Sequence, residues 1–276
     1  MANFHSPEAT SDNQSAPLLV ERDASIATLT LNRPRARNAL SMALITALTE
    51  EIAALSGDPS IRAVVIAANG PGFCAGHDLK ELTARRSDVD RGRAFFAETM
   101  QACARMMQSI VHSPKPFVAA VRGVASAAGC QLVATCDLAV ADNSASFATP
   151  GVDIGLFCST PMIALSRNVT RKHAMEMLLL GDLLPAEKAA TFGLINRVVP
   201  SGQALAEACA MAGRIADKSP LTVAIGKEAF YHQLEMPLSQ AYDYAAEVMV
   251  KNMMARDAEE GINAFIEKRA PTWRGE

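Results

Sequence analysis

Two short runs of exclusively apolar residues constrain the fold of this chain most strongly. They are Ala63 to Ala68 and Pro116 to Val121, and a similar run lies near Leu138 to Ala141. Apolar runs without polar alternation are typical of strands that are buried on both faces, as in a parallel sheet. A loop and a helical pattern follow these runs, for example a predicted helix around 91–111. This strand–helix alternation predicts an α/β fold with right-handed crossovers.

Three regions follow from the same patterns. Residues 1–17 are polar and contain two prolines, so they are predicted to be a disordered tail. Residues 18–200 form the predicted α/β body, which begins with a hairpin of two short strands. Residues 201–276 carry helical patterns alone, at 202–217, 221–234, 238–254 and 257–268. This last region is interpreted as an oligomerisation element or, alternatively, as ordinary core helices.

Charge, cysteine usage and the N-terminal segment indicate which partners and which cellular compartment to expect. The formal net charge is −3, and no apolar run is long enough to span a membrane, so neither nucleic acid nor a membrane is an expected partner. The six cysteines form no CxxC pair and are interpreted as reduced thiols. The N-terminal segment has neither an apolar signal region nor an Arg-rich transit pattern, and a cytoplasmic location is therefore expected.

Two loops that follow predicted buried strands carry the candidate chemistry. The first spans 72–81 and the second spans 122–131, and both are rich in small residues. The second loop opens a helix, whose first N–H groups have no partner within the helix. Two such loops can each direct one N–H at a single carbonyl oxygen and so form an oxyanion hole. On spacing alone, tight strand-to-helix turns remain the alternative interpretation.

The chain resembles the crotonase (enoyl-CoA hydratase/isomerase) family from about residue 18 onward. The segments that carry the resemblance occur in the family's order: 32–40, 73–81, 123–131, 136–137, 147–150, 186–189, 193–195 and 265–269. The runs 127–132 and 149–161 are similar to those of the branch called enoyl-CoA hydratase domain-containing protein three. The resemblance implies a spiral of repeated ββα units with a helical C-terminal oligomerisation region.

The resemblance also implies a substrate and a set of binding residues. The substrate is an acyl-CoA thioester, so coenzyme A arrives with it and no bound cofactor or metal is expected. The oxyanion N–H groups map onto His77 and Ala128. The other positions that the resemblance assigns to substrate or CoA binding are Arg35, Ala36, Arg37, Ala75, Asp78, Leu79, Gly151, Ser159, Phe265 and Lys268. A neighbouring subunit is expected to supply the last two, in a homotrimer or a hexamer made of two trimers.

The chain departs from the family's pattern where hydration chemistry is concerned. Hydratases of the family use two glutamates for acid–base catalysis. Those positions are Gln131 and Gly151 here, and a third position used by some isomerases is Ser159. Asp153 is a tentative replacement base, with a surface or turn role as the alternative. Two hypotheses therefore stand: an enzyme acting on acyl-CoA as a hydratase, isomerase or hydrolase, and a non-catalytic acyl-CoA binder or regulator.

Overall fold

The computed structural model describes residues 16–276. Its strands are β1 (Leu18–Asp23), β2 (Ile26–Leu31), β3 (Ala63–Ala68), β4 (Phe117–Val121), β5 (Val124–Ser126), β6 (Leu138–Asp142), β7 (Ser146–Ala148), β8 (Leu184–Pro185) and β9 (Arg197–Val199). Its α-helices are α1 (Met42–Gly57), α2 (Leu79–Ala84), α3 (Arg93–His112), α4 (Ala128–Thr135), α5 (Pro161–Asn168), α6 (Arg171–Leu180), α7 (Ala186–Phe192), α8 (Ala204–Ala216), α9 (Pro220–Gln233), α10 (Leu238–Met253) and α11 (Arg256–Glu267).

The main sheet has six strands in the order β1-β2-β3-β4-β6-β9. β1 is antiparallel to β2, as the predicted hairpin requires, and the remaining pairs are parallel. β3 and β4 are buried almost throughout, which confirms the interpretation of the apolar runs. The chain is therefore an α/β protein, as predicted.

Successive residues of the central strands contribute to two separate cores. Val64 and Ile66 pack in the core that contains α1 and α3. Val65 packs in the other core, against Ala208 and Ala212 of α8. This alternation follows from the two-residue period of a strand. Helices on both faces explain why these strands contain no polar residues.

A smaller sheet positions the candidate site. It has three strands in the order β5-β7-β8, with β5 and β7 parallel and β7 and β8 antiparallel. α4 begins two residues after β5 and is buried along its whole length. A short 3₁₀ helix, Pro150–Ile154, follows β7 closely. The start of α4 and the end of β7 are therefore brought together.

The C-terminal helices divide into two groups. α8 packs on β3, β4 and β6, although it belongs to the predicted C-terminal region. α9 is fixed by Lys227, whose ammonium group donates to the carbonyls of Ile110 and Lys115 and forms a 2.8 Å ion pair with Asp137. α10 has no buried residues, and α11 contacts α9 and α10. The boundary at residue 200 stays a prediction, and the predicted tail lies outside the described residues except for Ala16 and Pro17.

Candidate functional site

The two loops identified from the sequence lie side by side. The Cys74 N–H donates to the Val124 carbonyl at 3.1 Å, and the Ser126 N–H donates to the Cys74 carbonyl at 2.8 Å. The first loop therefore extends along β5. A Cβ built on Gly76 would lie 3.3 Å from the Ala128 nitrogen, so the residue before His77 contacts the start of α4.

The backbone around His77 leaves its N–H free. The Leu40 N–H donates to the Gly76 carbonyl, and the Asp78 N–H donates to the Leu40 carbonyl. Leu40 and His77 thus form a parallel bridge, in which the N–H of His77 is directed away from Leu40. Among residues 16–276, no backbone or side-chain acceptor is matched to the His77 N–H.

Ala128 supplies the second free donor. It is the first residue of α4, where an N–H has no acceptor within the helix. The preceding residue, Ala127, donates its own N–H to the Ala148 carbonyl at 2.9 Å. The His77 and Ala128 N–H groups thus lie on adjacent segments, as an oxyanion hole requires. The partial positive charge of a helix N-terminus adds to the attraction for a carbonyl oxygen.

A strained residue fixes the direction of α4. Ala127 has φ 49° and ψ −116°, a left-handed region that non-glycine residues rarely adopt. Such a conformation costs on the order of 1–3 kcal/mol and persists where the surroundings enforce it. Close packing at Gly129 is part of these surroundings, since a Cβ there would lie 2.1 Å from the Cys74 carbonyl oxygen. The absence of a side chain at Gly129 therefore permits the close approach of the two loops.

Buried polar atoms without a partner concentrate at this site. Within the described part of the chain, such atoms belong to four residues: His77, Gln131, Thr149 and His173. His77 and Gln131 lie on the two loops described above, and Thr149 follows Ala148, whose carbonyl accepts the Ala127 N–H. Gln131 is 6% exposed and Thr149 is 1% exposed. Because an unpartnered buried polar group is costly, this concentration indicates a place that a polar ligand or water completes.

The side chain of His77 is neutral at physiological pH. Burial lowers the pKa of its imidazole, and the nearby Leu40 backbone opposes that shift only partly. Both ring nitrogens are buried without a hydrogen-bond partner. His77 therefore contributes a backbone N–H and an uncharged ring at the hole.

The two carboxylates closest in sequence to His77 are occupied by structural contacts. Asp78 forms a 2.9 Å ion pair with Arg33 and accepts the N–H groups of Lys80 and Glu81 at the start of α2. Partial burial raises the pKa of Asp78, but the contact with Arg33 and these N–H groups outweigh it and hold the pKa below its usual value. Glu81 accepts the Met42 N–H at the start of α1. Neither carboxylate is free to act as a base.

The loop that was predicted to bind CoA adjoins the hole. Arg35 and Arg37 are exposed and Ala36 is half-buried. The Arg37 carbonyl accepts the N–H of Ala75, which is itself exposed. Leu79 is also exposed, at the beginning of α2. The backbone of the arginine loop therefore contacts the first loop at an exposed residue.

Sequence reasoning missed the role of Asn38, which holds these loops together. Asn38 is fully buried, and its amide donates to the carbonyls of Asn69 and Gly72 at 2.8 and 2.9 Å. Its Oδ1 accepts the Arg33 N–H at 2.8 Å. An asparagine directly before the apolar residues Ala39 and Leu40 was the available signal, but the carbonyls that its amide contacts are distant in sequence.

The position of the second missing glutamate is closely packed. A Cβ on Gly151 would lie 2.9 Å from the Leu156 carbonyl oxygen and 3.0 Å from the Cys158 sulfur. Asp153 is exposed, and its carboxylate lies beside Gly181, where a Cβ would be 3.1 Å away. Ser159 is exposed, with its hydroxyl directed to the Phe157 carbonyl. Gly151 and Ser159 thus supply no carboxylate, and the tentative role of Asp153 as a replacement base stays a prediction.

Two more residues predicted to bind CoA lie far along the chain, on and just after α11. Phe265 is 85% exposed, and Lys268 follows the helix with a left-handed backbone and an exposed side chain. Within the described residues, α11 contacts α9 and α10. Their assignment to CoA binding stays a prediction.

The buried cysteines near the hole are unreactive thiols. Burial raises the pKa of Cys74 and of Cys130 to about 12. Burial also raises the pKa of Cys158, against a backbone hydrogen bond from Gly151. A nucleophilic role needs a lowered pKa, so these residues are small core side chains. No group of three metal-binding side chains occurs in the described residues, and none of their helices could cross a membrane.

Comparison with known proteins identifies the family. Residues 21–276 match the family model described as enoyl-CoA hydratase/isomerase. The rat protein named "Enoyl-CoA hydratase domain-containing protein 3, mitochondrial" is 46% identical over 276 residues, covering 99% of this chain and 90% of that protein. The human protein of that name is 43% identical over 265 residues, covering 96% and 86% respectively.

Solved structures agree with these matches. An enoyl-CoA hydratase from Mycobacterium smegmatis superposes with a TM-score of 0.89 at 49% identity, covering 93% of this chain and 98% of that chain. Human enoyl-CoA hydratase domain-containing protein 3 superposes with a TM-score of 0.89 at 44% identity, covering 93% and 100%. The predicted crotonase fold is confirmed.

One prediction from the sequence is corrected by these relatives. A cytoplasmic location was expected because residues 1–17 carry no recognisable targeting pattern. The rat, mouse and human relatives are mitochondrial by name, which contradicts that expectation. A targeting pattern is a compositional signal, and its absence was too weak an argument for a compartment.

The fold, the paired loops and the extent of these matches lead to one assignment. The similarity covers the α/β body, both loops of the hole and the C-terminal helices. This chain belongs to the enoyl-CoA hydratase/isomerase (crotonase) family.

Proposed function

We propose that this chain binds an acyl-CoA thioester and stabilises the enolate form of that thioester. In this proposal the thioester oxygen accepts hydrogen bonds from the His77 and Ala128 N–H groups. The observation that carries the proposal is the juxtaposition of two unmatched backbone donors on segments that contact each other. Donors of this kind contribute about 3–4 kcal/mol each when they face developing negative charge.

Removal of a proton from the carbon next to the thioester develops that negative charge. The electron pair moves into the carbonyl group, and the oxygen becomes an anion that the two N–H groups stabilise. Hydration adds a further requirement, because water must lose a proton while its oxygen bonds to the third carbon. The amide of Gln131 can orient a water molecule, but it cannot take up that proton near neutral pH.

We therefore expect slow hydration by this chain. The first-loop carboxylates Asp78 and Glu81 cap helices, and position 151 has no room for a side chain. These observations favour a second candidate function, a non-catalytic acyl-CoA binder. A thioester hydrolase that uses a cysteine nucleophile is disfavoured because the thiols at the site have raised pKa values.

Two substitutions at one position test the hole. Ala128→Pro deletes the N–H, and proline is tolerated at the first position of a helix because no intrahelical bond is lost. Ala128→Gly keeps the N–H and is the matched control. Butyryl-CoA binding, measured by calorimetry, should weaken up to about tenfold in Ala128→Pro, because one neutral hydrogen bond to the thioester carbonyl, worth about 0.5–1.5 kcal/mol, is lost. It should change little in Ala128→Gly.

Equal binding to the two variants would show that the hole is misassigned. Turnover then separates the two candidate functions. Incubation of butyryl-CoA in deuterated water reports enolate formation as deuterium gain at the second carbon, measured by mass spectrometry. Deuterium gain that exceeds the gain in a protein-free control, and that is lost in Ala128→Pro, supports the hypothesis that the chain is an enzyme. Tight binding without deuterium gain supports a binder.

We also propose that the chain functions as a homotrimer, or as a hexamer of two trimers. Support comes from large apolar side chains that a single chain leaves exposed on α10, on the residue that follows it and on α11: Tyr242, Met249, Val250, Met253, Met254, Ile262, Phe265 and Ile266. A neighbouring subunit that covers them would bring its Phe265 and Lys268 to the CoA of this chain. Light scattering coupled to size exclusion should give three or six copies, and a monomer would contradict the proposal.

A further inference from the structure

A buried cluster of charged and polar side chains lies where α9 meets the α/β body. Lys227 of α9 is 9% exposed, and its ammonium group donates to Asp137 and to two backbone carbonyls, each at 2.8 Å. Tyr231 of α9 donates its hydroxyl to the other oxygen of Asp137 at 2.9 Å. Burial and the Asp137 carboxylate raise the pKa of Tyr231, so this hydroxyl keeps its proton. Because a buried ion pair is weak evidence for added stability, the arrangement that it fixes requires an explanation.

The Asp137 carboxylate closes a segment of chain that contains the second loop of the hole. Its Oδ2, which pairs with Lys227, also accepts the N–H of Phe117 at 2.7 Å. Phe117 is the first residue of β4, and Asp137 is the second residue after α4. The segment 117–137 between them contains β4, β5 and α4. One side chain therefore holds both ends of the segment that carries Ala128.

The start of α4 is the part of this segment where a small movement matters. α4 has eight residues, so it is about 12 Å long. It begins directly after the strained Ala127, whose conformation persists where the surroundings enforce it. A tilt of so short a helix changes the direction of the Ala128 N–H, and a hydrogen bond weakens steeply as its donor turns away from the acceptor. Contacts at the far end of α4 therefore influence how well Ala128 binds a carbonyl oxygen.

We propose that Asp137 is a positioning residue for the Ala128 N–H, and that Lys227 and Tyr231 make this positioning depend on the docking of α9. This inference rests on the proposed function, because it takes the thioester oxygen to be bound at Ala128. It adds a link between the hole and the C-terminal helices, since α9 contacts both α10 and α11. The strength of thioester binding thus depends on how these helices are attached to the α/β body.

Two ligands that differ in one group separate positioning from general stability. Butyryl-CoA carries the thioester carbonyl, whereas S-butyl-CoA is a thioether of the same chain length without a carbonyl. The ratio of their dissociation constants, measured by calorimetry on the full chain, reports the contribution of the carbonyl to binding. Wild type should bind butyryl-CoA about tenfold or more tightly than S-butyl-CoA, because two hydrogen bonds to the carbonyl are gained.

Conservative variants of the cluster should lower this ratio. Tyr231→Phe removes one donor from Asp137 and keeps the ring, so the ratio should fall about twofold to threefold. Asp137→Asn replaces the carboxylate by an amide whose nitrogen cannot accept a hydrogen bond, so the ratio should fall about threefold or more. Both variants should bind S-butyl-CoA as wild type does. Tyr244→Phe, which removes a hydroxyl from α10, is the matched control and should leave the ratio unchanged.

Infrared spectroscopy gives a second measurement that does not depend on affinity. The probe is butyryl-CoA with an isotopically labelled carbonyl carbon, whose stretching band moves to lower frequency as hydrogen bonds to the oxygen become stronger. The band of the ester bound to Asp137→Asn should lie between those of wild type and Ala128→Pro. A cluster that only stabilises the fold would leave the band of a folded variant at its wild-type position.

The outcomes separate this inference from the proposed function. If wild type prefers butyryl-CoA and the folded variants keep both that preference and the wild-type band, the positioning role is refuted and the hole survives. An equal loss of affinity for the two ligands would also refute the positioning role. If wild type binds both ligands equally tightly, or binds neither, the proposed function fails first, and the inference fails with it. Melting temperatures show which variants are folded, and Tyr231→Phe decides the matter should Asp137→Asn not fold.

Discussion

Gln131→Glu and Gly151→Glu each return a carboxylate to a position that is neutral in this chain, and we expect opposite outcomes. A Cβ at position 151 would lie 2.9 Å from the Leu156 carbonyl oxygen and 3.2 Å from the Cys158 nitrogen. Both are backbone atoms, so the segment 156–158 must move to admit any side chain. Overpacking of this kind costs about 1–3 kcal/mol.

That cost converts into a measurable loss of thermal stability. A large domain loses roughly 2–4 °C in melting temperature per kcal/mol. Gly151→Glu should therefore melt about 3–10 °C below wild type, measured by scanning calorimetry. Gly151→Ala introduces the same Cβ without the charge and should show much of the same decrease. It serves as the control that separates packing from electrostatics.

Gln131→Glu makes a smaller steric change, because glutamate and glutamine have nearly the same shape. Burial at this position should raise the pKa of the new carboxyl above that of free glutamate. A carboxylate at this position gives the water a proton acceptor, and positioned bases contribute about 10²–10⁴-fold to a rate. We expect crotonyl-CoA hydration to increase about tenfold or more over wild type, which is below that range because position 151 still carries no carboxylate.

The pH dependence provides an internal check. The new activity should fall as the pH decreases through the raised pKa, because the protonated carboxyl cannot accept a proton. Hydration is followed by the ultraviolet absorbance of the conjugated thioester. The packing argument is refuted if Gly151→Glu melts with wild type, or if it increases hydration as much as Gln131→Glu does.

Three further predictions concern stability and reactivity. Lys227→Met leaves the partly buried Asp137 without its ion-pair partner but with the hydrogen bonds from Tyr231 and the Phe117 N–H, so it should cost about 3 kcal/mol in denaturant unfolding, whereas exposed Lys251→Met should cost little. Asn38→Ala removes three hydrogen bonds at a residue with φ 53° and should lower the free energy of unfolding by about 2–4 kcal/mol and weaken CoA-ester binding. Cys130 has a pKa raised to about 12, so native protein should resist alkylation there from pH 7 to 9, while urea-denatured protein should react; mass spectrometry measures both.

Much of the main sheet could be predicted from the sequence. Apolar runs identified β3 and β4 because their residues alternate between two cores and leave no polar face. The N-cap of α1 was also predictable, and Ser41 accepts the Leu44 N–H at 3.3 Å. The short strands β5, β7 and β8 were not predicted, since strands of two or three residues contain too few positions to show a period.

The candidate site was predictable in outline but not in its contacts. Loops of small residues after buried strands indicated where two N–H groups would meet. The left-handed Ala127 and the amide network of Asn38 depend on contacts with residues that are distant in sequence. The pairing of Asp78 with Arg33 has the same origin, and it explains why a carboxylate next to the hole is structurally occupied. No local pattern distinguishes a free carboxylate from a paired one.

Binding and proton transfer place different demands on this chain. The proposed hole uses backbone N–H groups, so it depends on the close contact at Gly129 and not on any charged side chain at the hole itself. Proton transfer needs a carboxylate with space around it, and the packing at Gly151 removes that space. Because the two demands are met by different atoms, one can be satisfied without the other. We therefore expect Gln131→Glu to add hydration activity to a chain that already binds the thioester, because position 131 already accommodates a side chain of that size.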